Sequence, residues 1–398
     1  MTSPPIVVLA DDLTGAAEIS AIGHAQGLRA VVALSPDALP PEADLLVFDT
    51  DSRLNPPDEA AHKIRHIVER LPAKLKQHVF KKTDSVLRGP VVAEVETAAA
   101  ALGRDVVLLA PSNPSLGRTI QQGIYHVGGV PVHQTSFARD PHHPALHPHV
   151  ATLLGPTEKL PLVLARPGMP LPSLGLILAE AQNATDVAYW ADQIQPHTLP
   201  AGGADFFDAF LKKLGFTTAS SPSPSAPRGP TLIISGTTSA AGEALRRTAR
   251  ENGLPIFPIP SALLHADETF ETSVQTWAEH IRRALLTHGL AITFVDHPLD
   301  HDPRIPTAIR RSFARMVTLL DQRRAFHHLL VDGGATAAAV TRSLAWHQLA
   351  TAGVWAPGVV SLQPLAAPDV LLTLKPGSYP WPALLWEKLS TSPVPSVS

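Results

Sequence analysis

The chain has 398 residues, 44% hydrophobic and 17% charged, with 32 Lys and Arg against 35 Asp and Glu and a formal net charge of -3. That balance describes a globular protein long enough for two cores. It excludes a disordered chain and argues against nucleic acid as a partner. Cysteine is absent, which removes disulfide frameworks, thiolate zinc sites and cysteine nucleophiles and leaves the chemistry to His, Asp, Glu, Ser, Thr and Lys.

The first residues lack the basic region and long apolar stretch of an export signal, and no segment reaches the ~18 unbroken apolar residues of a membrane span. A cytoplasmic protein with no membrane partner is the expectation. Residues 6–10 form an apolar run followed by Asp11-Asp12-Leu13-Thr14-Gly15, a strand, a turn and a helix start. Apolar runs at 45–48, 78–80 and 106–110, with an amphipathic helix at 57–71, continue the alternation and predict a mostly parallel sheet covered by helices. Residues 216–230 are rich in Ser, Pro and Thr and read as a linker. Beyond it, runs at 231–234, 290–295, 329–332 and 370–374 predict a second α/β domain, and 390–398 a frayed tail. The expected organisation is thus 1–215, a linker at 216–230, and 231–398, with the active site in the cleft between two domains.

In an open α/β sheet the ligand crevice lies beyond the carboxyl ends of the strands. There the sequence places Asp11 and Asp12 after the first strand, Asp49, Asp51 and Arg53 after the second, and Lys81, Lys82, Asp84 and Arg88 after the third. Carboxylates, lysines and arginines on one rim suit a small polyhydroxylated anion. A guanidinium offers a planar fork to its carboxylate, and Asp oxygens accept from its hydroxyls. One Asp can also serve as general base for a hydroxyl attacking a phosphoryl donor. The plainer reading is that such residues solvate loops and cap helices, a role Thr14 would suit. Three successive strand ends carrying the pattern favour the site.

Ala10-Asp11-Asp12-Leu13-Thr14-Gly15-Ala16, Lys81-Lys82-Thr83-Asp84-Ser85-Val86-Leu87-Arg88-Gly89 and Pro111-x5-Gly117-Arg118-Thr119 resemble the hallmark segments of the four-carbon acid sugar kinase family. Gly123, Val127-x-Gly129-x-Pro131 and Thr135-x-Phe137-x2-Asp140-Pro141 follow in similar order. The resemblance implies phosphorylation of threonate, erythronate or 3-oxo-tetronate by ATP, with an N-terminal acid-sugar-binding domain and a C-terminal nucleotide-binding domain. It makes Asp12 and Asp84 the expected catalytic carboxylates, and Asp11, Arg53, Lys82, Ser85, Arg88 and Arg118 the substrate contacts. Asn113 stands where relatives usually carry an aromatic residue.

A kinase must hold a triphosphate, and glycine-opened amides at a helix N-terminus after a strand do so. Ser235-Gly236-Thr237 and Gly333-Gly334-Ala335-Thr336 are placed for it, with helices expected at 241–250 and 337–344. The Walker A pattern is absent and no two glycines stand at i and i+2, so neither a P-loop nor a dinucleotide fingerprint is present. By resemblance to the family's nucleotide-domain segments, Ser235, Gly236, Gly333, Gly334, Thr336, Gly358, Lys375 and Gly377 are the expected nucleotide contacts, with ATP and Mg²⁺ as cofactors and no metal ligand set named by the sequence. Ala335, where relatives usually have an acidic residue, and Tyr379-Pro380, where they have Phe-Gly, depart from the pattern. These departures keep a second reading open, a non-catalytic acid-sugar-binding protein with a degenerate nucleotide domain. A phosphatase of the haloacid dehalogenase type fits poorly, because its two aspartates bracket one residue whereas Asp11 and Asp12 are adjacent. The histidines at 142, 143, 147 and 149, and the His/Asp cluster at 296–302, read as polar loops, and the six Trp as packing. Homo-oligomeric assembly is compatible with the sequence and not fixed by it.

Overall fold

The computed structural model describes residues 5–35, 42–140, 142–217, 229–237, 239–264, 268–296, 302, 304–377 and 379–391. The chain divides into two compact units, Met1–Ser221 and Pro222–Ser398. Most of the linker expected at 216–230, most of the cluster at 296–302 and the end of the tail lie outside the described residues. Among those residues no helix is long and apolar enough to cross a membrane.

The N-terminal unit opens with β1 (Ile6–Ala10), α1 (Leu13–Ala25), β2 (Ala30–Ala33), β3 (Leu45–Asp49), α2 (Pro57–Arg70), β4 (Val79–Lys82), α3 (Val91–Leu102) and β5 (Val106–Ala110). A small antiparallel sheet follows, made of β6 (Arg118–Gln121), β7 (Ile124–Val127) and β8 (Val130–Pro131). The unit closes with α4 (Val150–Leu154), β9 (Leu162–Ala165), β10 (Gly175–Ala179), α5 (Ala184–Asp192), β11 (Thr198–Gly202) and α6 (Ala204–Lys213). The large sheet runs β2-β3-β1-β4-β11-β5-β10-β9 with parallel pairs throughout, so all its carboxyl ends share one rim.

Local chemistry explains these elements. Asp12 caps α1 by accepting from Gly15 N at 2.8 Å, the role expected for Thr14, whose hydroxyl instead donates to Asp12. α2 starts with proline and acidic residues in its first turn and buries Ala60, Ile64, Ile67 and Val68 at helical spacing. One face of the sheet, with Val7, Leu9, Val79, Val107 and Leu109, packs on α2, α3 and the small sheet through Ile64, Val95, Ile120 and Tyr125. On the other face Phe80 meets Phe206, Phe207 and Phe210 of α6, edge-on to Phe207 at 5.1 Å.

The C-terminal unit holds β12 (Thr231–Ser235), α7 (Ala240–Glu251), α8 (Phe270–His288), β13 (Leu290–Phe294), α9 (Ile305–Asp321), β14 (His328–Asp332), α10 (Gly334–Ser343), β15 (Gln348–Ala356), β16 (Val359–Pro364), β17 (Leu371–Lys375) and α11 (Ala383–Thr391). Its strands run β13-β12-β14-β17-β16-β15, the first four parallel and β16 antiparallel to both neighbours. α10 starts at Gly334, three residues before the expected 337, because Gly333 turns at φ 93° directly after β14. A side-chain hydrogen-bond chain crosses four strands: Trp355 Nε1 donates to Ser361 Oγ at 2.8 Å, Ser361 meets Thr373 at 2.7 Å, and Thr373 meets His328 Nε2 at 2.7 Å. All four side chains are buried.

Candidate functional site

Each unit carries a polar rim at the carboxyl ends of its parallel strands. On the first, Arg53 binds Asp11 through Nε at 2.6 Å and spans both Asp12 oxygens at 2.7 and 2.9 Å, with Asp84 3.9 Å away. Arg88 spans Asp84 at 2.8 and 3.0 Å and donates to Asp140 at 2.9 Å, while the Val86 and Arg88 amides also donate to Asp84. Lys81 lies 3.2 Å from Glu94, which accepts from Ser52, and Lys82 lies 3.5 Å from Glu18. Burial alone would raise the Asp84 carboxyl, but Arg88 and Arg53 overcome it and hold it far below the usual carboxylate range. Asp11 is likewise lowered against burial by Arg53 and Lys81, whereas burial pushes Glu94 up despite Lys81. Asp11 Oδ1 accepts no hydrogen bond among the described residues.

Arg118 differs from these. Its guanidinium donates to Ser85 Oγ at 2.6 Å and has no carboxylate partner among the described residues. β5 delivers it: Asn113 bridges to Arg118, so the strand end runs straight into β6. The Phe137 ring lies 5.5 Å from the guanidinium carbons of both Arg88 and Arg118 and orients the pair.

On the second rim, Ser235, Asp332 and Lys375 are register partners at the last positions of β12, β14 and β17, and all three are buried. Lys375 Nζ stands 3.4 Å from Asp332; burial raises the carboxyl and lowers the ammonium, each opposed by the other. The glycine turns meet above this row. A Cβ on Gly236 would lie 2.0 Å from Thr336 Oγ1, one on Gly377 2.8 Å from Thr237 Oγ1, and one on Gly358, at φ 75°, 2.7 Å from the Tyr379 ring. Ser239 caps α7 and donates to the Gly377 carbonyl at 2.5 Å. Lys375 also lies over the Trp381 ring at 5.1 Å.

This second rim fits a nucleoside triphosphate. The first-turn amides of α10 have no intrahelical acceptors, and Lys375 and the Ser235 and Thr336 hydroxyls lie in or beside the row. No group of three or more metal-binding side chains occurs among the described residues. Asp332 as a single carboxylate fits a Mg²⁺ ion held chiefly by phosphate oxygens and water.

The sugar-binding N-terminal domain family matches residues 6–170, and the nucleotide-binding C-terminal domain family matches residues 232–379. The chain belongs to the four-carbon acid sugar kinase family. A D-threonate kinase from Bordetella bronchiseptica is 40% identical over 163 residues, 39% of this chain and 40% of that protein. This chain therefore aligns with about two fifths of that relative's length. A 3-oxo-tetronate kinase from Brucella melitensis is 24% identical over 412 residues, covering 96% of this chain and 94% of that one. Solved structures from Salmonella typhimurium LT2 (TM-score 0.79, 18% identity, 97% of this chain and 99% of that one) and Haemophilus influenzae (TM-score 0.73, 19% identity, 97% and 100%) share the fold.

Within this kinase-family scaffold the residues expected from the sequence fall into their two groups. Asp11, Asp12, Arg53, Lys82, Asp84, Ser85, Arg88 and Arg118 occupy the first rim, and Ser235, Gly236, Gly333, Gly334, Thr336, Gly358, Lys375 and Gly377 the second. The sequence reading missed the counter-charges Glu18 and Glu94 and gave Asp140 no role. It also missed His143, read as loop, whose Nε2 meets the Arg53 carbonyl at 3.0 Å. Asp140 was legible as part of a family segment; Glu18 and Glu94 lie inside helices and carried no signal.

Proposed function

We propose that the protein transfers the terminal phosphoryl group of ATP to a hydroxyl of a four-carbon acid sugar of the threonate, erythronate or 3-oxo-tetronate type. The observation that carries this reading is the charge balance of the first rim. Arg53, Arg88 and Lys81 are spent on carboxylates, whereas Arg118, held by Ser85 and Phe137, keeps its fork for an incoming carboxylate. Arg118 and Ser85 then bind the acid group, and Asp11, Asp12, Asp84 and Lys82 the polyol. A carboxylate clasped by a guanidinium is a weak base but a well-oriented acceptor, and a loose phosphoryl-transfer transition state asks mainly for orientation. Asp12, more exposed than Asp84, orients the attacking hydroxyl. Arg88 positions Asp84 and, through Phe137, Arg118.

Ser235, Gly236, Gly333, Gly334, Thr336, Gly358, Lys375 and Gly377 hold the nucleotide. Asp332 stands where it can meet Mg²⁺, which when bound neutralises the phosphate charge.

A coupled ADP-release assay over a panel of four-carbon acids tests the proposal. ADP forms with at least one acid, Arg118→Ala lowers kcat/KM by about a hundredfold or more, and Arg118→Lys restores it in part because a point charge replaces the fork. Acid binding without ADP formation instead supports the non-catalytic acid-sugar-binding reading, which Ala335 and Tyr379-Pro380 favour.

A further inference from the structure

Beside the paired charges of the first rim stand buried hydroxyls that no group among the described residues satisfies. Thr83 Oγ1 and Tyr125 Oη are both fully buried and neither has a hydrogen-bond partner among the described residues. In native proteins such groups are rare, because an unpaired buried polar atom carries its full desolvation penalty. Thr83 directly follows β4 and Tyr125 belongs to β7, elements that border the first rim. Val79, Lys81 and Thr83 alternate onto the face of the sheet that carries α3 and the small antiparallel sheet, as do Val7, Leu9 and Asp11 on the neighbouring β1. Tyr125 lies opposite Ile120 in the β6–β7 pair, two residues beyond Arg118, so both residues belong to the inward face of that hairpin. The Tyr125 phenol is within electrostatic reach of the Arg118 guanidinium and the Asp84 carboxylate. Thr83 immediately precedes Asp84, and its amide is tied to Gly202 at 3.0 Å, which fixes the backbone from which its hydroxyl projects. Asp11 Oδ1, also buried and unpartnered, stands on the same face of the adjacent strand.

We infer that Thr83 and Tyr125 are specificity-determining contacts that read the configuration of the substrate hydroxyls next to the carboxylate held by Arg118. The inference rests on the acid-sugar reading and deepens it. A hydroxyl of the right configuration satisfies two buried groups at once, and its epimer leaves them unpaired. A site built this way discriminates far better than an apolar pocket of equal size.

Thr83→Val and Tyr125→Phe test it, since each removes a hydroxyl and keeps the shape. Calorimetric titration with threonate and with erythronate, alongside ADP-release kinetics and thermal unfolding, is run on wild type and both variants. The preferred epimer loses about tenfold or more in affinity and kcat/KM, its advantage over the other epimer shrinks by the same factor, and the midpoint of thermal unfolding stays level or rises, because an unpaired hydroxyl has been deleted. An unchanged epimer ratio, or a lowered midpoint with both acids weakened alike, overturns the inference and leaves the kinase reading standing. A wild type that binds neither acid and forms no ADP overturns the kinase reading and this inference together.

Discussion

Asp84 accepts from two backbone amides and a bidentate guanidinium, and it is almost wholly buried. Removing its charge strands Arg88 and weakens the field around Arg53, so Asp84→Asn should cost about 2–4 kcal/mol of stability at neutral pH, read from the denaturant midpoint, and abolish turnover. The sign of the pH dependence follows from its depressed pKa. The wild-type contribution is complete above the ordinary value of 3.8 and is lost as pH falls below it, so the gap between variant and wild type closes in acid. The charged residues themselves were legible, since each follows an apolar run. Their pairing was not: Arg88 finds Asp140 52 residues away and Arg53 finds Asp11 42 residues away, across loops whose approach no local pattern encodes. Arg88, expected as a substrate contact, is paired with Asp84 and Asp140, whereas Arg118, lying in a family segment, is the arginine of this rim with no carboxylate partner among the described residues.

Elements with long periodic or apolar patterns were read almost to the residue, as with β1, β5 and α2. Those unread had a physical reason. β11 contains Pro200, which lacks an amide and would ordinarily be kept out of a sheet interior; here pairing with β4 begins only at Ala201, so the missing donor is tolerated. β15 and β16 form an antiparallel pair with register shifts that blur their alternation. The glycine turns were legible as glycine, but not what each one clears. Gly236→Ala would drive a methyl into Thr336 and separate the two turns that flank the Ser235–Asp332–Lys375 row. Calorimetry with ATP and Mg²⁺ should show affinity reduced about tenfold or more, with acid binding in the other unit unchanged.

At the scale of the whole molecule, each unit has its own core and its own polar rim, and the division into two α/β bodies followed from two runs of strand and helix patterns. Global stability should carry the mark of His328, which is buried in the C-terminal unit and held neutral. Burial depresses its pKa from 6.5 to about 3, so its contribution is complete above 6.5 and is lost as pH falls toward 3. Its ring Nε2 meets Thr373 Oγ1 at 2.7 Å, which ties the imidazole into the side-chain chain that crosses the sheet. Urea midpoints between pH 7 and 4 should fall less steeply for His328→Gln than for wild type; parallel slopes would contradict a buried neutral imidazole.

The ammonium of Lys375 above the Trp381 indole gives this protein a built-in optical reporter. A cation facing an indole alters its emission, and a triphosphate that draws Lys375 away changes that field. Intrinsic fluorescence can therefore follow nucleotide occupancy without any attached dye, with Trp381→Phe as the control that silences the response while the other tryptophans continue to emit.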